Sequence, residues 1–402
     1  MENDEKLNNE EISPSPEEGN NEEIVESQVK TLYNDPVDIS MPDLLLPPPP
    51  EEAKTNTIQD AAAVAFKFGF IGAGQGGSRI AETFHDLGYR RVGVINTAQQ
   101  DLNTIKLENK LCIGSGGAGK DPAVAAKCYQ DKSEDVLDFM RHSFGDDLDK
   151  IFVCAGAGGG TGSGSVVPLV KSSQELLKTL KAKNSKVGVI LALPKNSEGK
   201  KVNANAHKVL NEAYGLVEQG IVSPLILIDN EKIGKLYPNL AVSQFWKAAN
   251  HSMAGLFHLF NHTAAKDSTY SAFDSNDYGS LLNSGLIVFG ASPVNEWNDP
   301  VAISRAVREN LKNNILTGGV DLSTGSCAAA VMIGGTEQLN TIPQSSLDQA
   351  FDQLSRMLKP HSVVHRGIYS GDKPTLMVFS AVGGLDKPAS KLSELAQLGD
   401  LT

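Results

Sequence analysis

A nine-residue segment, Gly156-Ala-Gly-Gly-Gly-Thr-Gly-Ser-Gly164, contains six glycines and constrains the fold of this 402-residue chain more than any other segment. It follows the apolar run Ile151–Ala155 and precedes a stretch with the pattern of a long helix. A flexible linker would not lie between a buried strand and a helix, so we interpret the segment as a turn at the end of a strand. Its nearly bare backbone presents many N–H groups, and Thr161 and Ser163 add hydroxyls, which together predict a diphosphate site.

From Phe66 onward, short apolar runs bounded by glycine alternate with stretches of helical periodicity. Continuous apolar strands separated by helices are typical of a parallel sheet with helices on both faces. We therefore predict an α/β fold whose first unit is a doubly wound parallel sheet. Its predicted strands are Phe66–Gly72, Val92–Asn96, Ile151–Gly156, Val187–Leu193 and Leu225–Asp229, with helices near 77–87, 122–143, 164–183, 201–219 and 242–262.

A second, smaller α/β unit is predicted from Gly285 onward. Two of its strands follow each other directly at the end, which predicts a mixed sheet. The predicted strands are Gly285–Ser292, Cys327–Gly334, Val363–Tyr369 and Thr375–Val382, with helices near 300–316 and 346–358. We divide the chain into an acidic, Pro-containing tail, a first domain, a central helix with the loop after it, a C-terminal domain and a short tail, at 1–65, 66–240, 241–284, 285–385 and 386–402.

The acidic charge of the chain lies at one end. The formal net charge is −12, of which residues 1–60 carry −13 and the remainder +1. A nearly neutral body disfavours a sequence-independent nucleic-acid binder, which needs a basic surface. The tail is expected to be disordered, with Pro47–Pro50 as a semi-rigid spacer. Within it, Asp38–Leu46 is either a short docking peptide or part of the spacer.

The cysteine and hydropathy patterns favour a cytoplasmic protein. The four cysteines form no CxxC pair, and no histidine cluster lies beside them, so neither a zinc site nor a disulfide framework is expected. No run of 18 apolar residues predicts a membrane span. The acidic N-terminus has no apolar region of the kind found in secretory signals.

A second glycine-rich segment, Gly72-Ala-Gly-Gln-Gly-Gly-Ser-Arg79, follows the first predicted strand and leads into a helix. It matches GxGxxG, the dinucleotide fingerprint, which also requires an acidic residue at the end of the next strand to hold a ribose. That strand ends in Asn96-Thr97. The absence of a carboxylate there disfavours a nicotinamide cofactor.

The third glycine-rich segment, Gly114-Ser-Gly-Gly-Ala-Gly-Lys-Asp-Pro122, matches GxxxxGK at the start of a P-loop. The next residue of a P-loop is Ser or Thr, whose hydroxyl binds magnesium. Asp121 stands there instead, and its carboxylate would repel phosphate, so the segment is a poor P-loop. A glycine-rich turn before a helix with Pro122 near its first position explains it better, and its backbone N–H groups can still reach an outer phosphate.

Together these segments carry a family resemblance. Gly158–Gly164 looks like the signature of the tubulin/FtsZ superfamily of polymerising GTPases. Gly74-Gln75-Gly76-Gly77 resembles the opening phosphate loop of that superfamily in its tubulin version, and Asn96-Thr97 resembles the pair that follows the second strand in the bacterial proteins. Gly117-Ala118-Gly119 is similar to the gamma-phosphate loop.

The resemblance extends to ribose and base recognition. Pro194 and Glu198-Gly-Lys-Lys201 resemble the ribose loop of the bacterial proteins, although Val202 replaces the arginine that follows there. Trp246-Lys-Ala-Ala-Asn250 resembles the central-helix segment that holds guanine, with Trp246 stacking on the base and Asn250 bonding its edge. The nucleotide-binding residues implied are Gly74, Gln75, Gly76, Gly77, Asn96, Gly117, Ala118, Gly119, Gly158, Gly159, Gly160, Thr161, Gly162, Ser163, Glu198, Trp246 and Asn250.

The same resemblance implies a hydrolytic site shared between subunits. In this family, acidic residues after the central helix complete the nucleotide site of the next subunit. Asp274-Ser-Asn-Asp277 has the matching DxxD spacing, although Ala272 replaces the asparagine of the family, and Asp267 is a second candidate. A turn exposed to solvent is the alternative explanation for these aspartates.

The resemblance therefore implies an enzyme that binds GTP or GDP with Mg²⁺, hydrolyses GTP and assembles head to tail into filaments, without contacting nucleic acid directly. An adaptor protein would bind through 38–46 or 386–402. Cell division and the positioning of plasmid or phage DNA remain open as cellular roles. A non-hydrolysing structural relative and, less favoured, a nicotinamide-dependent oxidoreductase remain as alternatives.

Overall fold

A computed structural model of the protein describes residues 58–61, 63–239, 241–299, 301–314 and 318–401, except the side chains of 242 and 243. Most of the predicted acidic tail, including the candidate docking segment 38–46, lies outside these residues. So do residues 315–317.

Ten strands of the described residues form one sheet in the order β3-β2-β1-β4-β5-β6-β7-β10-β8-β9. The strands are β1 Phe68–Ala73, β2 Val92–Asn96, β3 Lys110–Cys112, β4 Lys150–Gly156, β5 Val187–Leu193, β6 Val222–Asp229, β7 Leu286–Val294, β8 Cys327–Gly334, β9 Val363–Ser370 and β10 Leu376–Leu385. The first seven strands of that order pair in parallel. Because β10 pairs antiparallel with both β7 and β8, while β8 and β9 are parallel, the C-terminal part is mixed, as predicted.

The helices of the first half are α1 Gly74–Asp86, α2 Gln99–Asn103, α3 Pro122–Asp131, α4 Ser133–Phe144, α5 Gly160–Thr179, α6 Lys200–Glu218, α7 Asn230–Leu236 and α8 Val242–Thr263. Those that follow are α9 Ser275–Leu282, α10 Ala302–Lys312, α11 Thr336–Leu339, α12 Gln344–Arg356 and α13 Ala389–Leu398. Two short 3₁₀ turns, Asn196–Glu198 and Leu322–Thr324, complete the described elements.

The two predicted units share a single sheet rather than forming two. The strands β6 and β7 pair in parallel through only two residue pairs, Leu225 with Leu286 and Ile226 with Ile287. This short ladder joins the parallel strands to the mixed strands. The helices α7, α8 and α9 make the connection between β6 and β7 and return the chain to the same end of the sheet.

Successive residues of each strand pack into two different cores. On β1, Phe68 and Phe70 belong to one cluster of buried apolar side chains and Ile71 to the other. Since side chains alternate across a strand, the two clusters cover the two faces of the sheet. The aromatic cluster packs beneath α8, where the rings of Phe152 and Phe257 lie 5.0 Å apart. Burial on both faces explains why the strands are continuous apolar runs.

Three local features differ from the predicted elements. The predicted helix 122–143 is divided into α3 and α4 at Lys132, whose backbone (φ −123°, ψ 18°) is not helical. The strand β3 was not predicted, because only three residues pair with β2. The predicted short tail at 386–402 contains the ten-residue helix α13. Of the helices described, none is long and apolar enough to cross a membrane.

Candidate functional site

A cavity of about 420 Å³ opens at the carboxyl ends of the parallel strands. This is within the range of small-molecule sites, and strand ends are where ligands bind in open α/β sheets. Fourteen of the seventeen residues implied by the family resemblance line it: Gly74, Gln75, Gly76, Asn96, Gly117, Ala118, Gly119, Gly158, Gly159, Gly160, Thr161, Gly162, Glu198 and Trp246. The folding of β1, β2, β4 and β5 thus brings together segments that are far apart in the sequence.

Two helices begin at the cavity with free N-terminal N–H groups. The helix α1 starts at Gly74, directly after β1, and α5 starts at Gly160. Neither has a side-chain cap or an acidic residue in its first turn. Each therefore presents unpaired N–H groups and the positive end of its dipole, which is an arrangement that binds anions such as phosphate.

The third glycine-rich segment ends in a capped helix. The side chain of Asp121 accepts a hydrogen bond from the backbone N–H of Ala123 at 2.9 Å, and Pro122 occupies the first position of α3. The aspartate thus stabilises the helix start, as Asp and Asn caps commonly do. This geometry agrees with a glycine-rich turn and explains why no hydroxyl follows Lys120.

The glycines of the signature have two different surroundings. A Cβ added to Gly162 would lie 2.4 Å from the carbonyl oxygen of Gly156, so this glycine lets α5 approach β4. Gly77 plays the same part in α1, because an added Cβ would lie 2.1 Å from the carbonyl oxygen of Cys154. By contrast, an added Cβ at Gly159 would meet no atom within 4 Å. Gly159 therefore faces the open cavity.

A polar network joins the end of β2 to the start of α5. The hydroxyl oxygens of Thr97 and Thr161 lie 2.7 Å apart, and the Thr161 hydroxyl also donates to Asn96 Oδ1 at 3.3 Å. The amide of Asn96 donates to Asp101 Oδ2 at 3.2 Å. All four side chains line the cavity, where they place hydroxyl, amide and carboxylate oxygens beside the two helix N-termini.

Other lining residues come from the loop after β5 and from α7 and α8. Pro194 and Glu198 contribute from the loop, Asn230 from the first position of α7 and Trp246 from α8. The side chain of Glu198 accepts a hydrogen bond from the backbone N–H of Lys195 at 2.8 Å, which closes the 3₁₀ turn. An aromatic ring and a carboxylate thus also line the cavity.

Three of the implied nucleotide-binding residues do not line the cavity. Gly77 packs on β4, and the buried hydroxyl of Ser163 donates to the carbonyl oxygen of Ala157. Asn250 is 6% exposed and lies one turn after Trp246 on α8. Their contact with a nucleotide stays a prediction.

Four polar residues of the cavity were missed by the sequence reasoning, namely Arg79, Asp101, Lys120 and Asn230. Arg79 and Lys120 stand inside or next to glycine-rich segments, so their charge was a usable signal. Asp101 and Asn230 follow strands β2 and β6 in the positions where the ends of parallel strands meet. That position could have identified them.

The two candidate catalytic aspartates lie at the start of α9 and outside the cavity. Asp274 is the N-cap: its Oδ1 accepts from the backbone N–H groups of Asn276 at 2.7 Å and Asp277 at 3.0 Å. In return, Asp277 Oδ2 accepts from the backbone N–H of Asp274 at 3.3 Å. The DxxD spacing therefore forms a reciprocal capping box. Asp267, the second candidate, is exposed in the loop after α8.

Strand β9 holds the segment that precedes these aspartates. The hydroxyl of Tyr369 accepts from the backbone N–H of Phe273 at 2.8 Å and donates to its carbonyl oxygen at 3.1 Å. On the same strand, His365 Nδ1 lies 2.7 Å from Asp277 Oδ1. Ile368 N–H donates to the carbonyl oxygen of Ser271 at 2.8 Å. Since β9 is the last strand of the sheet, its free edge positions the loop.

The family model for the tubulin/FtsZ GTPase domain matches residues 67–238. This range contains β1 to β6 and all three glycine-rich segments. Residues 67–238 form a GTPase domain of the tubulin/FtsZ family. All residues that line the cavity, except Trp246, belong to this range.

Relatives of this family resemble the chain at low identity. The tubulin-like protein TubZ of Bacillus cereus is 25% identical over 248 residues, which are 56% of this chain and 54% of TubZ. The chain thus spans about half the length of that relative. The cell division protein FtsZ 1 of Pyrococcus horikoshii is 23% identical over 306 residues, 74% of this chain and 75% of that protein.

Solved structures of the tubulin/FtsZ family share the fold. TubZ of Bacillus thuringiensis serovar israelensis, in a GTPγS-form protofilament, superposes with a TM-score of 0.72 at 16% identity, covering 85% of this chain and 92% of that one. CetZ2 of Haloferax volcanii, in a GTPγS-bound protofilament, gives a TM-score of 0.68 at 20% identity, covering 83% and 99%. Because these superpositions cover more than four fifths of this chain, the shared fold includes the C-terminal part.

Proposed function

We propose that this protein binds GTP in the cavity and hydrolyses it within a head-to-tail filament of its own copies. The observation that carries the proposal is the meeting of two uncapped helix N-termini and the glycine-rich turn at one cavity in a GTPase domain of this family. The protofilament forms of TubZ and CetZ2 support the assembly. The protein acts in the cytoplasm, and its partner is a second copy of the chain.

The phosphates of GTP bind at the N-termini of α1 and α5, and the ribose and guanine extend toward Glu198 and Trp246. Among the described residues, no group of three or more His, Cys, Asp or Glu side chains could hold a metal ion by itself. The Asp101 carboxylate and the Thr97 hydroxyl nevertheless fit Mg²⁺, which is commonly held by one or two carboxylates together with substrate phosphates. When bound, Mg²⁺ neutralises charge on the phosphates.

Hydrolysis requires a second subunit, because neither Asp274 nor Asp277 lines the cavity of its own chain. We place the two carboxylates of one copy against the nucleotide of the next, where Asp277 orients the attacking water and accepts its proton. The capping box and His365 fix the Asp277 carboxylate before assembly. Turnover thus depends on filament formation.

A non-hydrolysing filament protein is the second candidate, and one observation favours it. Both carboxylates are already engaged in helix capping, and a capping box alone accounts for the DxxD spacing. In that case the aspartates stabilise α9, and the protein binds nucleotide without turnover. A nicotinamide-dependent oxidoreductase is not supported by the family match.

The Asp277→Asn variant separates these candidates. Asparagine keeps an oxygen for the Asp274 N–H but removes the charge, so GTP binding and filaments should persist while turnover falls about a hundredfold or more. GTP turnover is measured against protein concentration, together with sedimentation of filaments. Asp267→Asn tests the second candidate aspartate, and it should turn over GTP as the wild type does if Asp277 is the catalytic acid.

Normal turnover by Asp277→Asn would remove this aspartate from the catalytic site. A wild-type protein that sediments with GTP but shows no turnover at any concentration would support the non-hydrolysing candidate.

We propose that the filaments act either in division or in the positioning of plasmid or phage DNA. The name of the FtsZ relative suggests division, and a solved structure of a plasmid segregation TubZ suggests plasmid DNA. A fluorescent fusion imaged in the native cell decides between them. A ring at mid-cell indicates division, whereas a moving or spindle-like filament indicates DNA positioning.

A further inference from the structure

The helix α13 packs on the GTPase domain next to the cavity. Leu392 and Leu395 are buried in the core cluster on that face of the sheet. The helix end approaches α6 closely, because a Cβ added to Gly399 would lie 2.9 Å from Ala204 Cα. The helix α6 begins directly after the loop that carries Glu198. The C-terminal helix therefore lies against the outer side of this cavity wall.

Lys391 on α13 contacts Asp229, the N-cap residue of α7. Its Nζ lies 2.7 Å from Asp229 Oδ2, and the two side chains are 7% and 2% exposed. Asp229 Oδ1 accepts from the N–H groups of Glu231 and Lys232 and so caps α7, whose first residue Asn230 lines the cavity. The buried ammonium thus fixes the capping carboxylate directly behind a cavity residue.

Glu394, one turn later on α13, contacts Asn196 in the loop after β5. Its Oε2 lies 2.6 Å from Lys391 Nζ, and its Oε1 accepts from Asn196 Nδ2 at 2.8 Å. Asn196 begins the 3₁₀ turn that ends at Glu198, and its own N–H donates to Glu231 Oε2 at 3.0 Å. One helix outside the cavity therefore connects the start of α7 with the Glu198 loop.

The charges in this chain of contacts are compatible with their burial. Burial lowers the pKa of Lys391, but the carboxylates of Asp229 and Glu394 outweigh that effect and raise it. Burial raises the pKa of Glu394, and hydrogen bonds from Lys391 and Asn196 together with the Lys391 charge outweigh that effect and lower it. Both groups therefore remain charged near neutral pH, and the contacts are charge-assisted.

We propose that Lys391 and Glu394 are positioning residues for the nucleotide: through Asp229 and Asn196 they hold two parts of the cavity wall in the geometry that receives ribose and base. The inference rests on the proposed nucleotide binding. Because coupling between two sites is reciprocal, bound nucleotide must in turn strengthen the docking of α13. A partner that pulled α13 from the domain would weaken nucleotide binding.

A purely structural helix would behave differently. If α13 only covered apolar surface through Leu392 and Leu395, loss of the Glu394–Asn196 bond would change stability and leave nucleotide affinity unaltered. The discriminating measurement is therefore the dissociation constant for GTPγS, compared with the melting temperature of the same variants.

The test is a double-mutant cycle in the full-length protein with Glu394→Ala and Asn196→Ala. Asn196→Ala should raise the Kd for GTPγS about fivefold, and Glu394→Ala at least as much, because it also removes the contact with Lys391. The double variant should raise the Kd no further than Glu394→Ala alone, because both substitutions remove the Glu394–Asn196 bond. Glu394→Gln keeps an oxygen for Asn196 Nδ2 and should restore most of the affinity. Asp400→Ala is the control: it removes the exposed ion pair between Lys200, at the start of α6, and Asp400, which follows α13. This variant should leave the Kd for GTPγS unchanged.

Hydrogen exchange gives the reciprocal measurement. Amides of residues 389–398 should exchange more slowly with GTPγS in the wild type, and this protection should disappear in Asn196→Ala. Unchanged Kd values in the single variants, or the same exchange of α13 with and without nucleotide, would overturn the inference while leaving GTP binding intact. A wild type that does not bind GTPγS would instead overturn the proposed function on which the inference rests.

Discussion

At the scale of single residues, Gly159 and Gly162 lie three positions apart in one turn but have opposite surroundings. A Cβ at Gly159 would meet no protein atom within 4 Å, whereas one at Gly162 would lie 2.4 Å from a backbone oxygen. The same amino acid therefore faces open space at one position and allows close helix–strand packing at the other.

The substitution Gly159→Ala should leave the fold intact and weaken GTP binding. Gly159 has φ −81° and ψ 170°, which alanine adopts without strain. The added methyl enters the cavity, so we expect the Kd for GTPγS to rise about tenfold or more at an unchanged melting temperature. Isothermal titration and thermal unfolding measure the two effects.

The matched variant Gly162→Ala should, in contrast to Gly159→Ala, destabilise the fold. Its methyl meets the backbone of Gly156, which cannot move without shifting β4, so we expect a loss of about 1–3 kcal/mol in the free energy of unfolding. Equal stability of the two variants would show that the close approach of α5 to β4 is not needed.

The sequence could identify which residue types surround the cavity but not the direction each one faces. Gly77 and Ser163 belong to the glycine-rich segments, yet they pack against β4 and the turn. Asp101 and Asn230 stand outside any motif, and only the parallel pairing of their strands brings them to the same edge. A motif gives only the spacing of residues along the chain. Whether a residue lines the cavity or packs against the sheet depends on how the helices contact the sheet.

At the scale of elements, β9 is the edge strand that positions the start of α9. Its residues Tyr369 and His365 contact Phe273 and Asp277, and Ile368 pairs with Ser271. An edge strand has a row of unpaired backbone groups, and here the loop before α9 occupies part of that row. The catalytic geometry proposed above thus depends on the mixed part of the sheet.

The substitution His365→Ala should lower GTP turnover without altering GTP affinity, because His365 contacts Asp277 and not the cavity. Loss of one hydrogen bond to the carboxylate corresponds to about a tenfold fall in turnover. His365→Asn places an amide near the position of Nδ1 and should recover part of the activity. Turnover and Kd for GTPγS are measured for both variants, and an unchanged turnover in His365→Ala would separate β9 from catalysis.

Most elements could be predicted because their apolar runs and periodicities are strong, as in β2, β5 and β8, whose bounds agree with the prediction. The division of α3 from α4 could not, because Lys132 carries no signal of a helix break and the two helices turn at an ordinary residue. The three-residue strand β3 exists through pairing with β2, which is a tertiary contact.

At the scale of the whole molecule, the C-terminal strands continue the sheet of the GTPase domain. The sequence predicts a change from parallel to mixed strands correctly, but it cannot show that β6 and β7 pair. Only two residue pairs join them, and a contact that short leaves no pattern along the chain.

The buried Lys150 should make stability depend on pH. It is 4% exposed and donates to the carbonyl oxygens of Lys186 and Ser223, and burial lowers its pKa to about 7 from the ordinary 10.5. Between about pH 7 and pH 10.5, Lys150 is protonated in the unfolded chain but largely neutral in the folded protein. The free energy of unfolding therefore rises with pH across this window, by about 1.4 kcal/mol per pH unit at most. Below about pH 7, this lysine makes no pH-dependent contribution.

Urea unfolding of the wild type and Lys150→Met between about pH 7 and pH 10 measures this effect. The free energy of unfolding of the wild type should rise relative to that of the variant as the pH increases. Parallel pH profiles would mean that Lys150 is charged in the folded protein.

The acidic tail should keep filaments apart. Residues 1–57 contain 15 acidic and 3 basic residues, so their removal leaves a chain without formal net charge. We expect the truncated protein to bundle more at low salt, because self-repulsion is lost, with GTP binding unchanged. Light scattering during assembly at low and high salt measures this. The deletion must stop before Ile58, because the carbonyl oxygen of Ile58 and the carboxylate of Asp60 bind the buried Arg91 side chain. Equal light scattering by the truncated and full-length proteins at low salt would exclude a spacing role for the tail.

The position of Trp246 gives this protein a built-in optical signal. The chain has two tryptophans, Trp246 at the cavity and Trp297 after β7. A Trp297→Phe variant would leave a single indole whose emission changes when a base stacks on it. Nucleotide arrival and departure could then be followed in real time on the unlabelled chain, before and during assembly.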